Sequence, residues 1–183
     1  MSLWWRRNGI PVAAIAILLP ATIFITFSNE IGAYNKAFAT EPVLVETGDT
    51  VDYGGADWLV INTERILAGS PEAIESELPA GADLIVVTTL VTPGEVDSDG
   101  QSPSCAVHLD ELDGDTVLRT FSDSQLDGIE HDRPPTALGS CTKEELDPYR
   151  LESIFVVPAD ANDTLALRLE VYNELPRFLQ IRL

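Results

Sequence analysis

Ile10 to Phe27 is a run of 18 residues without one charged side chain, and nothing else in the sequence restricts the fold as strongly. As a helix it spans roughly 27 Å, close to the hydrocarbon core of a bilayer. The first expectation is therefore a transmembrane helix over 10–27, with the lipid bilayer as its partner. Trp4 and Trp5 stand ahead of it as an interfacial aromatic anchor, followed directly by Arg6 and Arg7. By the positive-inside rule, residues 1–9 are expected in the cytoplasm and the rest of the chain outside it, as in a single-pass plasma-membrane protein. Pro20 removes a backbone donor in mid-helix and is expected to kink it, which membrane helices tolerate. Pro11 is expected in the first turn, where a missing N–H does no harm. Ala37-Phe38-Ala39 offers the competing reading, because small-x-small is the form of a signal-peptide cleavage site. The apolar run is longer than a usual signal core, and the gap to Ala39 is long, so an uncleaved anchor is preferred.

Charge divides the chain. The net charge is −19 and the pI near 4.1. Arg6, Arg7 and Lys36 face only Glu30 in residues 1–40, so residues 41–183 are two charges more negative than the whole. A surface of that sign repels a phosphate backbone, which argues against a nucleic-acid partner. Hydrophobic residues make up 45%, enough to exclude a disordered chain.

Residues 28–42 read as a stalk, because Ser28, Asn29, Gly32, Asn35 and Pro42 interrupt the apolar pattern. Residues 43–183 have a β texture. Trp58–Ile66 mixes aromatic and β-branched residues, with Trp58 expected in the core. Leu84–Thr92 is nearly all apolar and ends at Pro93-Gly94, as a central strand buried on both faces would. Two alternating runs, 106–111 and 115–121, flank Asp113-Gly114, a type I′ hairpin signal. Ser153–Val157 stops at Pro158. Leu165, Leu167, Leu169 and Val171 fall on one face of an alternating run, and 177–183 reads as the last strand. Ser70 and Pro71 suit the cap and first turn of a short helix reaching Leu78, and Thr142–Leu146 suits a shorter turn. The fold class expected is mainly β: one N-terminal transmembrane helix, then an antiparallel immunoglobulin-like β-sandwich of about seven to nine strands. Gly94–Ser104 and Ser122–Ser140 are long polar loops, expected to be mobile.

Two cysteines are too few for a disulfide-dense scaffold or an all-cysteine zinc site. In an oxidising compartment Cys105 and Cys141 are expected to form a disulfide. Glu95, Asp97 and Asp99 precede Gly100 as a loose cation loop, but the third ligand and downstream glutamate of an EF-hand are missing. No nucleophile elbow, His-Glu-x-x-His pair or phosphate loop occurs, so neither enzyme activity nor a cofactor is expected.

The order of these features resembles a known group. Asp57-Trp58-Leu-Val-Ile61, the long strand Leu84–Thr92, Ala106-Val-His-Leu-Asp110 with its Asp-Gly hairpin, Leu151–Pro158 and Leu165–Leu169 are similar to the telokin-like, immunoglobulin-like extracellular domains of uncharacterised bacterial membrane proteins and lipoproteins. Asp147-Pro148-Tyr149 stands where those domains have Pro-Gly before the Phe-x-Val-Pro strand. The resemblance implies a fold and an extracytoplasmic location, but no activity. The expected role is that of an interaction module with a protein partner in the membrane or envelope, as an accessory subunit of a larger complex. The alternatives are a ligand- or cation-binding ectodomain using the acidic loops, or a secreted protein after cleavage.

Overall fold

The computed structural model describes residues 3–94, 102, 104–123, 129, 131–142 and 144–183. They fall into two units, divided between Phe38 and Ala39.

The first unit is one helix, α1, Leu3–Ala37. Its stretch Asn8–Tyr34 is 27 residues, long and apolar enough to cross a membrane. A signal sequence near the N-terminus meets the same criterion. The helix outruns the expected 10–27 at both ends. Trp4, Trp5, Arg6 and Arg7 lie within it, Pro11 falls beyond the first turn, and the backbone stays helical through Pro20. Residues 28–37 of the expected stalk are helical. Ser28 and Asn29 are weak helix formers, but extending an existing helix fixes one residue per hydrogen bond gained, so they do not stop it. Ala33 and Ala37 favour continuation. The Tyr34 and Phe38 rings stack at 4.6 Å, and the Phe38 N–H still donates to the Tyr34 carbonyl.

The second unit is a β-sandwich of two five-stranded sheets. Its strands are β1 (Glu41–Val45), β2 (Val51–Tyr53), β3 (Ala56–Ile66), β4 (Ala82–Pro93), β5 (Cys105–Asp113), β6 (Thr116–Ser122), β7 (Ala137–Leu138), β8 (Tyr149–Pro158), β9 (Leu165–Val171) and β10 (Arg177–Arg182). One sheet has the order β1-β10-β9-β5-β6, the other β2-β3-β4-β8-β7. Pairing is mostly antiparallel, as expected, but β1 lies parallel to β10 and β7 parallel to β8. A tight hairpin imposes antiparallel pairing only on adjacent strands. β1 and β10 are the two ends of the domain, so no hairpin constrains them.

The inward faces form one core. Leu165, Leu167, Leu169 and Val171 of β9 pack with Trp58, Val87, Leu151, Phe155 and Leu179. Trp58 is fully buried, and its Nε1–H donates to the Tyr53 carbonyl at 2.9 Å. β4 is buried on both faces in its first half. Leu84 and Val86 form a second cluster with Ile154, closed by Ile66, Leu78 and Val156. The helix α2 (Pro71–Glu75) precedes Leu78 and is shorter than the expected 70–78, with Ser70 as its cap and Pro71 at its start. Thr142–Leu146 forms no helix among its described residues. The β5–β6 hairpin turns on Gly114-Asp115 rather than Asp113-Gly114, because Asp113 pairs with Thr116. Gly114 has φ +62 while Asp115 does not have a positive φ, so the turn is of the type II′ kind that puts glycine first.

Polar groups on the sandwich are tied by ion pairs. Arg65 meets the buried Asp83 at 2.8 Å and the exposed Asp163 at 2.8 Å. The buried Glu111 accepts from Arg119 through both oxygens and from the Asn162 N–H. The Arg119 guanidinium, and then the Asn162 amide, hold the Glu111 carboxyl below the ordinary glutamate range. A carboxyl with a lowered folded-state pKa contributes stability above its unfolded value, about 4.3 for glutamate. That contribution is lost as pH falls through the lower, folded-state value. Glu111→Gln is therefore expected to lose about 2 kcal/mol at pH 7, as charge-assisted hydrogen bonds disappear. The gap to wild type should close in strong acid, and urea unfolding of both proteins at pH 7 and at low pH checks it. A pH-independent difference would assign the effect to packing.

Candidate functional site

The sequence-derived site residues separate in the structure. Cys105 opens β5 and Cys141 follows β7, so their disulfide joins the strands of one sheet to a segment leading into the other. Their Cα atoms are 5.6 Å apart, within the span a disulfide needs. Glu95, Asp97 and Asp99 lie outside the described residues. Among the described residues, no group of three His, Cys, Asp or Glu side chains could hold a metal. His108 lies mid-sheet on β5, 3.8 Å from Glu170, which also pairs with Arg168 at 2.7 Å. Arg168 in turn covers the Phe178 ring at 4.5 Å. His131 meets the buried Glu152 at 3.1 Å, beside Arg133 at 3.3 Å. With β7 in the same stretch, these contacts join described residues of the 122–140 segment to the sandwich.

A cleft of about 480 Å³ opens beside the β2–β3 hairpin. It is lined by Asp52, Tyr53, Gly54, Gly55, Ala56, Asp57, Gly94, Glu174 and Arg177. Its wall is the β2–β3 hairpin. Tyr53 pairs with Ala56, leaving Gly54-Gly55 as a two-residue turn with φ +64 and +89. Positive φ at both central positions makes this a type I′ turn, and glycine adopts it without strain. A Cβ at Gly54 would lie 2.6 Å from Val171 Cγ1, so no side chain fits there. The Gly94 N–H donates to the Gly55 carbonyl at 3.0 Å and fixes the far side of the turn.

Alternation along β2 sets the chemistry of the cleft. Tyr53 faces the core and Asp52 faces outward. Asp52 is the direct cross-strand partner of Asp57, and both are exposed. Two like charges placed opposite each other weaken a hairpin, and no described residue pairs with either carboxylate. Glu174 follows β9 in a 3-10 turn and receives Arg177 through one oxygen, Oε2. Tyr53 is only 7% exposed, yet its Oη has no hydrogen-bond partner. Burial, and then the Glu174 charge, push the Tyr53 phenol above its ordinary range, with Arg177 opposing. The phenol is therefore protonated at neutral pH. Sequence reasoning missed this site because Glu174 and Arg177 are far from Asp52 and Asp57 in the chain. The Gly-Gly between Tyr53 and Ala56 was the one local signal.

No protein-family model matches the chain, and no curated protein resembles it in sequence. Three solved structures share its outline. A candidate lipoprotein from Staphylococcus aureus is 15% identical at a TM-score of 0.46, over 73% of this chain and 88% of that one. A candidate lipoprotein from Bacillus subtilis is 15% identical at 0.43, where 73% of this chain spans only 38% of the other. An uncharacterised β-sandwich protein from Clostridium difficile is 14% identical at 0.41, over 79% of this chain and 97% of that one. Likenesses this remote carry nothing about activity or partners.

Proposed function

We propose that the protein is a non-enzymatic, single-pass membrane protein whose acidic sandwich is an interaction module held at the bilayer surface. The junction between the two units carries this reading. Ala39 and Thr40 already belong to the sandwich. The Ala39 carbonyl accepts from Arg168 at 3.1 Å, and the Thr40 and Glu41 N–H groups donate to the Pro176 carbonyl at 2.8 and 3.0 Å. Only Phe38 separates Ala37, the last helical residue, from this anchored segment. With one residue of chain between helix and sandwich, a helix in the bilayer keeps the sandwich within reach of membrane-borne partners.

Arg6 and Arg7 support an orientation with the sandwich outside the cytoplasm. The disulfide suits that compartment. The negative surface favours a partner with a basic face and disfavours anionic lipid headgroups. An accessory subunit of a larger membrane complex fits these features, as does a telokin-like, immunoglobulin-like ancestry. The test is purification of the full-length protein from its native membrane in mild detergent, with intact-mass measurement of everything retained. A partner at fixed stoichiometry, beside a chain that keeps α1, is the expected result. A solitary chain, or one cut after Ala39 and found in the medium, overturns it.

A further inference from the structure

Taking α1 as the retained membrane helix proposed above, we infer that Phe27, Ile31, Tyr34 and Phe38 form one face that lies in the headgroup–hydrocarbon boundary of the bilayer. The boundary concerned is the one on the side where the sandwich begins. The polar residues after Phe27 do not end the apolar surface of the helix; they narrow it to a stripe. The four residues follow one another at spacings of four, three and four, which brings them onto a single side. Each is more than half exposed. Phe38 keeps the helical register, because its N–H donates to the Tyr34 carbonyl at 3.0 Å and its ring stacks on Tyr34. Asn29, Gly32 and Ala33 fall on the other sides.

Three observations identify lipid as the cover of this face. The stripe continues, with no break in the helix, from the apolar span Asn8–Tyr34. The second observation is length: α1 has 35 residues. It is therefore roughly 52 Å long, against about 40–45 Å for a bilayer with its headgroups. Upright, it would carry Phe38 out into water. A tilt of about 30–40°, at the upper end of the range membrane helices adopt, brings the whole length within the headgroups. Such a tilt turns one face of the emerging segment down toward the membrane, and the stripe is its apolar face. The third observation is direction. Side chains on a helix lean toward its N-terminus, which at this end is toward the bilayer core, so the Tyr34 and Phe38 rings reach back to the boundary. A tyrosine, apolar along its ring and polar at its tip, suits that layer. A second copy would cover the stripe by pairing with it, but in lipid, apolar side chains gain no hydrophobic drive toward one another.

The experiment places the full-length chain in dioleoylphosphatidylcholine vesicles with one spin label at a time. Cys105 and Cys141 are bonded to each other, so an introduced cysteine is the one thiol that takes the label. Ile31→Cys and Phe38→Cys label the stripe; Asn29→Cys and Ala33→Cys label the other sides. Collision with oxygen, which concentrates in lipid, is compared with collision with a water-soluble nickel chelate. Asn29 is nearer the apolar run than Ile31, and Ala33 is nearer than Phe38. The oxygen-to-nickel ratio is nevertheless expected to be higher at 31 than at 29, and higher at 38 than at 33. An upright helix gives the reverse order, because depth then follows position along the chain, and overturns the inference. Labels at 31 and 38 shielded from both reagents, with spin–spin broadening that unlabelled chain removes, would put a second copy on the stripe and overturn it too. Ile17→Cys, in mid-span, reports on the anchor itself. A water-exposed label there, or a chain that leaves the vesicles, overturns the membrane reading and this inference with it. An oxygen-exposed label at 17 with the upright order beyond it overturns the inference alone.

Discussion

Trp58→Ala is expected to lower the unfolding free energy of the sandwich by about 3–5 kcal/mol, the usual range for emptying an aromatic site in a core. Trp58 is 0% exposed and stands among Ile85, Val87, Phe155 and Leu169 in the main cluster. Removing the indole leaves a cavity that rigid neighbouring strands can close only in part. It also deprives the Tyr53 carbonyl of its indole donor. Since Trp58 pairs with Val51 across the β2–β3 hairpin, the damage reaches the wall of the Gly54-Gly55 cleft. Trp58→Phe keeps most of the volume and loses only the N–H, so it should fall well short of the alanine variant. Urea unfolding of the full-length chains in detergent, followed by the far-ultraviolet β signal, measures both. A loss below about 1 kcal/mol for alanine, the level of an ordinary substitution, would show that the core tolerates the vacancy.

How much of this fold the sequence reveals depends on where each strand finds its reasons. Leu84–Thr92 states its own position, because a β-branched run without polar alternation belongs only in a strand covered on both sides. Leu165–Val171 likewise declares one inward face. β1 does not. Glu41–Val45 contains Pro42 and is held by pairing with Arg177–Ile181 at the other end of the domain. Proline is acceptable there because β1 is an edge strand. β2 has three residues and β7 two, too few for any period to show. The helical form of residues 28–37 was hidden for a related reason. Polar residues after an apolar helix end its hydrophobicity but not its hydrogen bonds, so α1 continues to Ala37. The candidate site is the least legible part. Its hairpin is local and carries a Gly-Gly signal, yet Glu174 and Arg177 reach the cleft from the other sheet. Spacing along the chain holds no trace of that meeting.

Replacing Cys105 and Cys141 together with serine is expected to cost about 3–4 kcal/mol, because the bridge closes a long loop in the unfolded chain. The two residues are 36 apart in sequence, and that separation sets the entropy removed from the unfolded state. Both cysteines also pack against the main core, so the serine hydroxyls add a smaller penalty on top of the lost constraint. Reduced wild type separates the two effects, since it loses the constraint and keeps the sulfur. Its urea midpoint should fall most of the way to that of the double variant, and identical midpoints for oxidised and reduced wild type would show that the bridge contributes nothing. The same bond reports on orientation. A disulfide persists outside the cytoplasm and is reduced within it. Alkylating intact cells before lysis, then measuring the mass of the protein, counts its free thiols. Protected cysteines would place the sandwich outside, the side proposed from Arg6 and Arg7. Two alkylated cysteines would reverse that orientation, and the constraint on residues 105–141 would then be absent from the protein as it works in the cell.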